Sequence, residues 1–150
     1  MRFVLDNSVS MRWLFADGRA ADLAYAEGIL CRFEQPGNEA IVPAIWPLEV
    51  ANVIVRAETR GLLTEARGAE FIGILHAMAI RVDQTTTARA LTDTLQLARR
   101  FSLSAYDAAY LELALREGLG LATLDGDLRT AATKAGTEIV EIRLAGGEPT

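Results

Sequence analysis

Apolar residues fall along this chain in two rhythms. Short runs at Arg2–Leu5, Ala40–Pro43, Ile80–Asp83, Leu119–Leu124 and Glu138–Ile142 have the length and content of buried strands. Between them lie longer stretches with apolar residues at mixed three- and four-residue spacings, which predict helices at Ser8–Phe15, Ala20–Phe33, Leu48–Arg60, Thr64–Ala77, Thr87–Phe101, Ser104–Glu117 and Leu128–Ala135. The punctuation agrees with this division. Gln35-Pro36-Gly37-Asn38 is a break. Pro47 suits a first helical turn, where its missing N–H would have had no partner. Gly61, Gly118 and Gly136 stand where helices should stop, and Thr64 is placed to cap the helix that follows it. The tail Ala145–Thr150 is expected to fray.

Strands alternating with helices predict an α/β fold with a mainly parallel sheet of about five strands. No long linker, low-complexity tract or internal repeat divides the chain, so residues 1–150 are expected to form one domain. In such sheets ligands bind beyond the carboxyl ends of the strands. Asp6 directly follows the first strand and Asp125 directly follows the fourth. If those strands are neighbours, the two carboxylates meet.

Composition narrows the choices. A chain of 150 residues that is 51% hydrophobic can bury a sizeable core without disulfides. It has one cysteine, Cys31, which excludes an internal disulfide and fits a reducing compartment. No stretch approaches the roughly 20 apolar residues of a membrane span, and the N-terminal run is interrupted by Asp6. A soluble cytoplasmic protein is expected. The net charge of −5 and pI near 4.9 argue against a simple nucleic-acid binder. A cluster of metal-binding carboxylates would lower the net charge in the same way. Lys134 is the only lysine; the other cations are arginines, which suit bidentate contacts with phosphate or carboxylate.

Each conspicuous acid has a plain structural reading beside the chemical one. Asp6, in VLDNS, could cap the helix that follows. Glu49, in IWPLEVANV, could merely favour a helix dipole, with Asn52 on the same face. Ser104 and Asp107 have the spacing of a capping box. Asp125 and Asp127, in LATLDGDLRTAA, could both cap the last helix; Asp127 fits a start at Leu128 better, leaving Asp125 free beside the strand. Taken together, two acids at strand ends and two at helix starts carry more weight. Massed carboxylates raise one another's pKa, and a hard cation such as Mg²⁺ or Mn²⁺ relieves the repulsion. Zinc is disfavoured, because His76 and Cys31 are the only residues of their kinds. His76 lies among apolar helical residues and reads as structural. No P-loop or dinucleotide-type glycine pattern occurs.

Four segments in this order, Val4–Ser8 (VLDNS), Pro47–Val53 (PLEVANV), Leu103–Ala114 (LSAYDAAYLELA) and Leu121–Ala132 (LATLDGDLRTAA), give the chain its resemblance to the PIN-domain family, in particular to VapC-type toxins of toxin–antitoxin pairs. The resemblance spans roughly Phe3 to Ile142. It implies a Rossmann-like three-layer α/β/α sandwich and a Mg²⁺- or Mn²⁺-dependent endoribonuclease. The family's four acids fall on Asp6, Glu49, Asp107 and Asp125, with Asp6, Asp107 and Asp125 as the metal ligands. Ser8, Asn52, Ser104 and Thr123 match polar positions found around such sites. Asn7 stands where a small residue or Thr is common, and Asp127 is an acid that the pattern does not require. Relatives of this type form homodimers and are neutralised by a partner antitoxin, whose arginine can enter the acidic site.

The expected chemistry is metal-assisted hydrolysis of an RNA phosphodiester, with Glu49 as ligand or as orienter of the attacking water. Two other classes compete. A phosphotransfer or receiver-type domain also uses strand-end aspartates and Mg²⁺, but it needs a lysine across the pocket, and Lys134 lies late on the last predicted helix. A non-catalytic PIN-like interaction module would be expected to have lost one or more of the acids; all four are present.

Overall fold

The computed structural model describes residues 1–143. The elements follow one another as strand β1 (Arg2–Leu5), helices α1 (Asn7–Leu14) and α2 (Ala20–Arg32), strand β2 (Glu39–Val42), helices α3 (Trp46–Thr59) and α4 (Glu65–Ala77), and strand β3 (Ile80–Val82). Helix α5 (Thr86–Arg89) runs through a π-helical stretch (Ala90–Thr94) into α6 (Leu95–Phe101), and α7 (Ala105–Glu117), strand β4 (Gly120–Ala122) and α8 (Gly126–Ala135) complete the order. The sheet is parallel in the order β3-β2-β1-β4, so the first and fourth strands are indeed neighbours.

The local reasons are those of the sequence. Phe3, Val4 and Leu5 are wholly buried, as a central strand covered on both faces requires. Thr64 and Ser104 cap α4 and α7, each hydroxyl accepting the N–H three residues on. Helices α7 and α8 end on Gly118 and Gly136, both left-handed, a conformation that glycine adopts without a Cβ clash. Leu111, Leu113 and Ala114 are buried, and α7 contacts β1, β4 and α8. The helix that carries Asp107 is thereby fixed against the two strands that carry Asp6 and Asp125.

The structure revises two of the expected elements. The run Glu138–Ile142 forms only a single parallel bridge, Leu121 with Ile139, leaving four strands among the described residues. After that bridge the chain is diverted to α2: the Tyr25 hydroxyl donates to the Val140 carbonyl at 2.6 Å and Arg32 to that of Glu141 at 2.8 Å. The predicted helix Thr87–Phe101 is broken by the π stretch, beyond the reach of a periodicity argument. Both tryptophans belong to the core: Trp46 is buried, and Trp13 packs edge-on against Phe33. His76 is exposed on the last turn of α4. The expected fraying of Ala145–Thr150 lies outside the described residues.

Candidate metal centre

The register of β1 on β4 pairs Leu5 with Ala122, and the Asp6 N–H continues the ladder by donating to the Ala122 carbonyl at 2.9 Å. Asp6 and Thr123 therefore leave the sheet side by side. The Asp6 carboxylate is buried, and it accepts two hydroxyl hydrogen bonds on Oδ2, from Ser8 Oγ at 2.5 Å and Thr123 Oγ1 at 2.7 Å. Oδ1 is not engaged by these hydroxyls. Asp6 occupies the cap position of α1, but its side chain makes no capping bond, so the plain reading of this residue fails.

Both hydroxyls act twice. Ser8 Oγ also accepts the Leu124 N–H at 3.0 Å, and Thr123 Oγ1 accepts the Asp125 N–H at 3.0 Å. The strand ends are thus laced together around one carboxylate. Burial pushes the Asp6 pKa up, the Ser8 and Thr123 hydroxyls pull it down, and the nearby Asp125 charge pushes it up again; the net direction is upward.

Glu49 enters from the first turn of α3, which starts with Trp46 and Pro47. The Tyr110 hydroxyl on α7 donates to its Oε1 at 2.8 Å. Burial raises the Glu49 pKa, the Tyr110 hydrogen bond opposes the rise, and the charges of Asp6 and Asp107 reinforce it. Burial, with the charges of Asp6 and Glu49, raises the Tyr110 pKa strongly, so its hydroxyl remains a donor. Tyr110 was not singled out in the sequence. Its signal was present nonetheless: it stands three positions after Asp107 and so shares that residue's helix face.

Asp107 sits half-buried on the first turn of α7. The capping box there is only half formed. Ser104 Oγ accepts the Asp107 N–H at 3.1 Å, but among the described residues the reverse bond from the Ser104 N–H to the Asp107 carboxylate is absent. An Asp is one carbon shorter than the Glu such a box prefers, which leaves this carboxylate for other work. Burial raises its pKa to about 6; the charges of Asp125 and Asp6 add to the rise, the Ser104 hydroxyl opposes it, and Asp127 adds a smaller push.

At the last helix the assignment is reversed. Asp125 is the cap of α8, with Oδ1 accepting the Leu128 N–H at 2.8 Å, while exposed Asp127 lies within the first turn. The helix starts at Gly126, two residues earlier than expected, because the cap follows almost directly from the strand. Asn52 is exposed and takes no part in this hydrogen-bond network among the described residues. One further strand-end acid, Asp83 after β3, is diverted from the site. Arg116 donates to both its oxygens, at 3.2 and 2.7 Å, and also to buried Glu112. Burial pushes the Asp83 pKa up, but the bonds from Arg116 and Thr86 outweigh that and hold it low.

Asp6, Glu49, Asp107 and Asp125 therefore share one electrostatic neighbourhood. Their side chains rest on separate partners, and among the described residues no three acids, histidines or cysteines stand close enough to form a ready-made metal cage. The donor chemistry nonetheless fits a hard cation. Every group in the neighbourhood offers oxygen, the mutual repulsion favours a positive charge, and Asp6 has a carboxylate oxygen outside its hydroxyl bonds.

A family profile described as the PIN domain matches residues 3–134. Among solved structures, PAE2754 from Pyrobaculum aerophilum superposes with a TM-score of 0.59 at 19% identity, covering 87% of this chain and 87% of that one. That likeness is one of fold. The comparison with curated proteins finds no match.

Proposed function

The chain belongs to the PIN-domain family, a family of metal-dependent nucleases, and on that premise we propose that it is an endoribonuclease, the toxin of a toxin–antitoxin pair. The observation that carries the nuclease reading is geometric: Asp6 leaves β1 beside Thr123 at the end of β4, next to Asp125, the Ser8 and Thr123 hydroxyls hold its carboxylate, and Tyr110, one turn after Asp107 on α7, holds Glu49 of α3. Asp6, Asp107 and Asp125 would hold Mg²⁺ or Mn²⁺. When bound, the cation supplies an acidified water and positive charge at the scissile phosphate. Ser8 and Thr123 fix the Asp6 carboxylate, and Tyr110 fixes that of Glu49. Glu49 orients the attacking water. The water oxygen bonds to phosphorus and gives up a proton as one ester P–O bond breaks, and the departing oxygen takes up a proton, leaving a phosphate monoester and a free hydroxyl.

The toxin reading rests on the four sequence segments and their order. Support for partners comes from exposed apolar residues: Leu48 and Val55 lie two turns apart along α3, and Leu62 follows that helix. A homodimer and an antitoxin are proposed to cover such surface. No helix among the described residues is long and apolar enough to cross a membrane, and a cytoplasmic location is part of the proposal.

The test is incubation of purified protein with mixed RNA, with Mn²⁺, with Mg²⁺ and with chelator, beside Asp6→Asn. Cleavage that requires the metal and is lost in the variant at unchanged fold is expected. Full cleavage by a well-folded Asp6→Asn protein would overturn the assignment. Parallel incubation with an acyl-phosphate donor tests the phosphotransfer alternative; no labelling of the protein is expected. Light scattering at high micromolar concentration tests the dimer.

A further inference from the structure

An acidic nuclease must hold a polyanion beside its own carboxylates, so cations placed near them matter more than the total charge. A groove of about 420 Å³ lies between the end of α6 and the outer face of α8, with Arg100, Ser102, Asp127, Thr130 and Lys134 among its lining residues. Along α8, Asp127, Thr130 and Lys134 recur at three and four positions and so form one stripe. The stripe begins beside the Asp125 cap and reaches Lys134 about 10 Å further along the axis. The other wall also runs into the site. Ser102 ends α6 in a left-handed conformation (φ 54°), turning the chain into Ser104 and the Asp107 end of α7. Both walls thus lead to residues of the acidic cluster, and Asp107 feels the charge of Asp127.

The two cations in this groove are uncommitted. Arg100 and Lys134 are exposed, and among the described residues neither pairs with a carboxylate. Arg100 is instead held over the Phe101 ring, 5.1 Å from its centroid. A neighbouring cavity, lined by Arg89, Arg100 and Arg116, differs. There Arg89 pairs with Asp93 at 2.7 Å, and Arg116 with Asp83 and Glu112.

We propose that the groove between α6 and α8 is a subsite for the phosphate backbone of single-stranded RNA, with Arg100 and Lys134 binding phosphates that flank the cleaved bond. This rests on the nuclease reading above. Arg100 offers its planar fork and Lys134 a point charge; the Ser102 and Thr130 hydroxyls line the space between. Contacts of this kind read no sequence, so they act alike on every RNA.

The experiment is steady-state cleavage of a single-stranded oligoribonucleotide in Mn²⁺ over a range of salt. It compares wild type, Arg100→Ala/Lys134→Ala, the charge-retaining Arg100→Lys/Lys134→Arg, and Arg2→Ala/Arg32→Ala. The last pair removes the same charge around a cavity at the opposite, amino edge of the strands. The first double variant should raise KM by about 10-fold with kcat little changed, for RNAs of differing sequence. Its log–log salt slope should be shallower by about 1.4, the value for two single-strand phosphate contacts. The charge-retaining pair should stay near wild type, as should the control. A double variant indistinguishable from the control removes the subsite while leaving the nuclease reading intact. A charge-retaining pair as impaired as the alanine pair also removes it, because the loss is then one of structure. A wild type that cleaves no RNA with any metal overturns both readings.

Discussion

The Thr123 hydroxyl donates to Asp6 Oδ2 at 2.7 Å across 117 positions of sequence. It joins the ends of two adjacent parallel strands, and the same oxygen accepts the Asp125 N–H. One hydroxyl therefore orients one of the coupled acids directly and places a second through its backbone. Thr123→Val keeps the shape and removes both bonds. With Thr123 wholly buried, the loss should cost about 1–3 kcal/mol, read by chemical denaturation. RNA cleavage should fall by about 10–100-fold, as for groups that orient metal ligands.

Tyr110→Phe isolates the hydroxyl that holds Glu49. The ring stays in the core and only the donor is lost. A hydrogen bond to a charged group contributes about 1.5–3 kcal/mol; the half-buried position of Glu49 places the expected stability loss at the low end. Activity should drop about 10-fold, mostly in kcat. A variant with unchanged kcat would show that Glu49 is placed by α3 alone.

Asp107 gives a pH dependence whose sign follows from its raised pKa of about 6. The folded state binds this proton more tightly than the unfolded chain does. The stability linked to it is fully present below the ordinary carboxylate pKa and is lost as pH rises through 6. In chelator the wild type should therefore melt lower at pH 7.5 than at pH 5. Asp107→Asn should flatten that decline and melt at or above wild type at neutral pH. Millimolar Mg²⁺ should stabilise the wild type by binding the folded state, and the variant much less. Four melting curves for each protein decide the matter.

Asp125 caps α8 and is proposed as a metal ligand, and one pair of variants separates the two roles. Asn caps a helix about as well as Asp, so Asp125→Asn should keep the fold but lose RNA cleavage. Asp125→Ala should also lose the cap, at a cost of about 0.5–2 kcal/mol, less whatever repulsion is relieved. Asp127→Asn should retain most activity, since Asp127 is exposed and does not cap. Equal loss of cleavage in Asp127→Asn and Asp125→Asn would place Asp127 in the metal site.

Arg116 neutralises Asp83 and Glu112, both buried. Arg116→Met leaves two carboxylates without their cation and should destabilise the protein by about 3–5 kcal/mol. The loss should be greatest at neutral pH and smaller in mild acid, where protonation removes the orphaned charges. Thermal melts at pH 7.5 and pH 5 test both statements.

The hydrophobic rhythm by itself determined the order of strands and helices, because burial on a parallel sheet and on a helix leaves different periods in the chain. The strand-end position of Asp6, the caps Thr64 and Ser104 and the stops Gly118 and Gly136 were legible for the same local reason. Four motifs in order carried the family. What the local pattern withheld was the particular partner that each side chain finds across the fold. Asp6 and Asp83 look alike as strand-end acids, yet the strand order β3-β2-β1-β4 puts Asp6 beside Thr123 and gives Asp83 to Arg116. By local pattern Asp127 was the better cap, for a helix starting at Leu128, but the end of β4 fixed the start of α8 at Gly126 and made Asp125 the cap. The run Glu138–Ile142 had the pattern of a strand, but the Val140 carbonyl found Tyr25 instead of a neighbouring strand. Periodicity reports how each segment meets the core; which side chains then meet each other depends on register and packing, which exist only once the chain is folded.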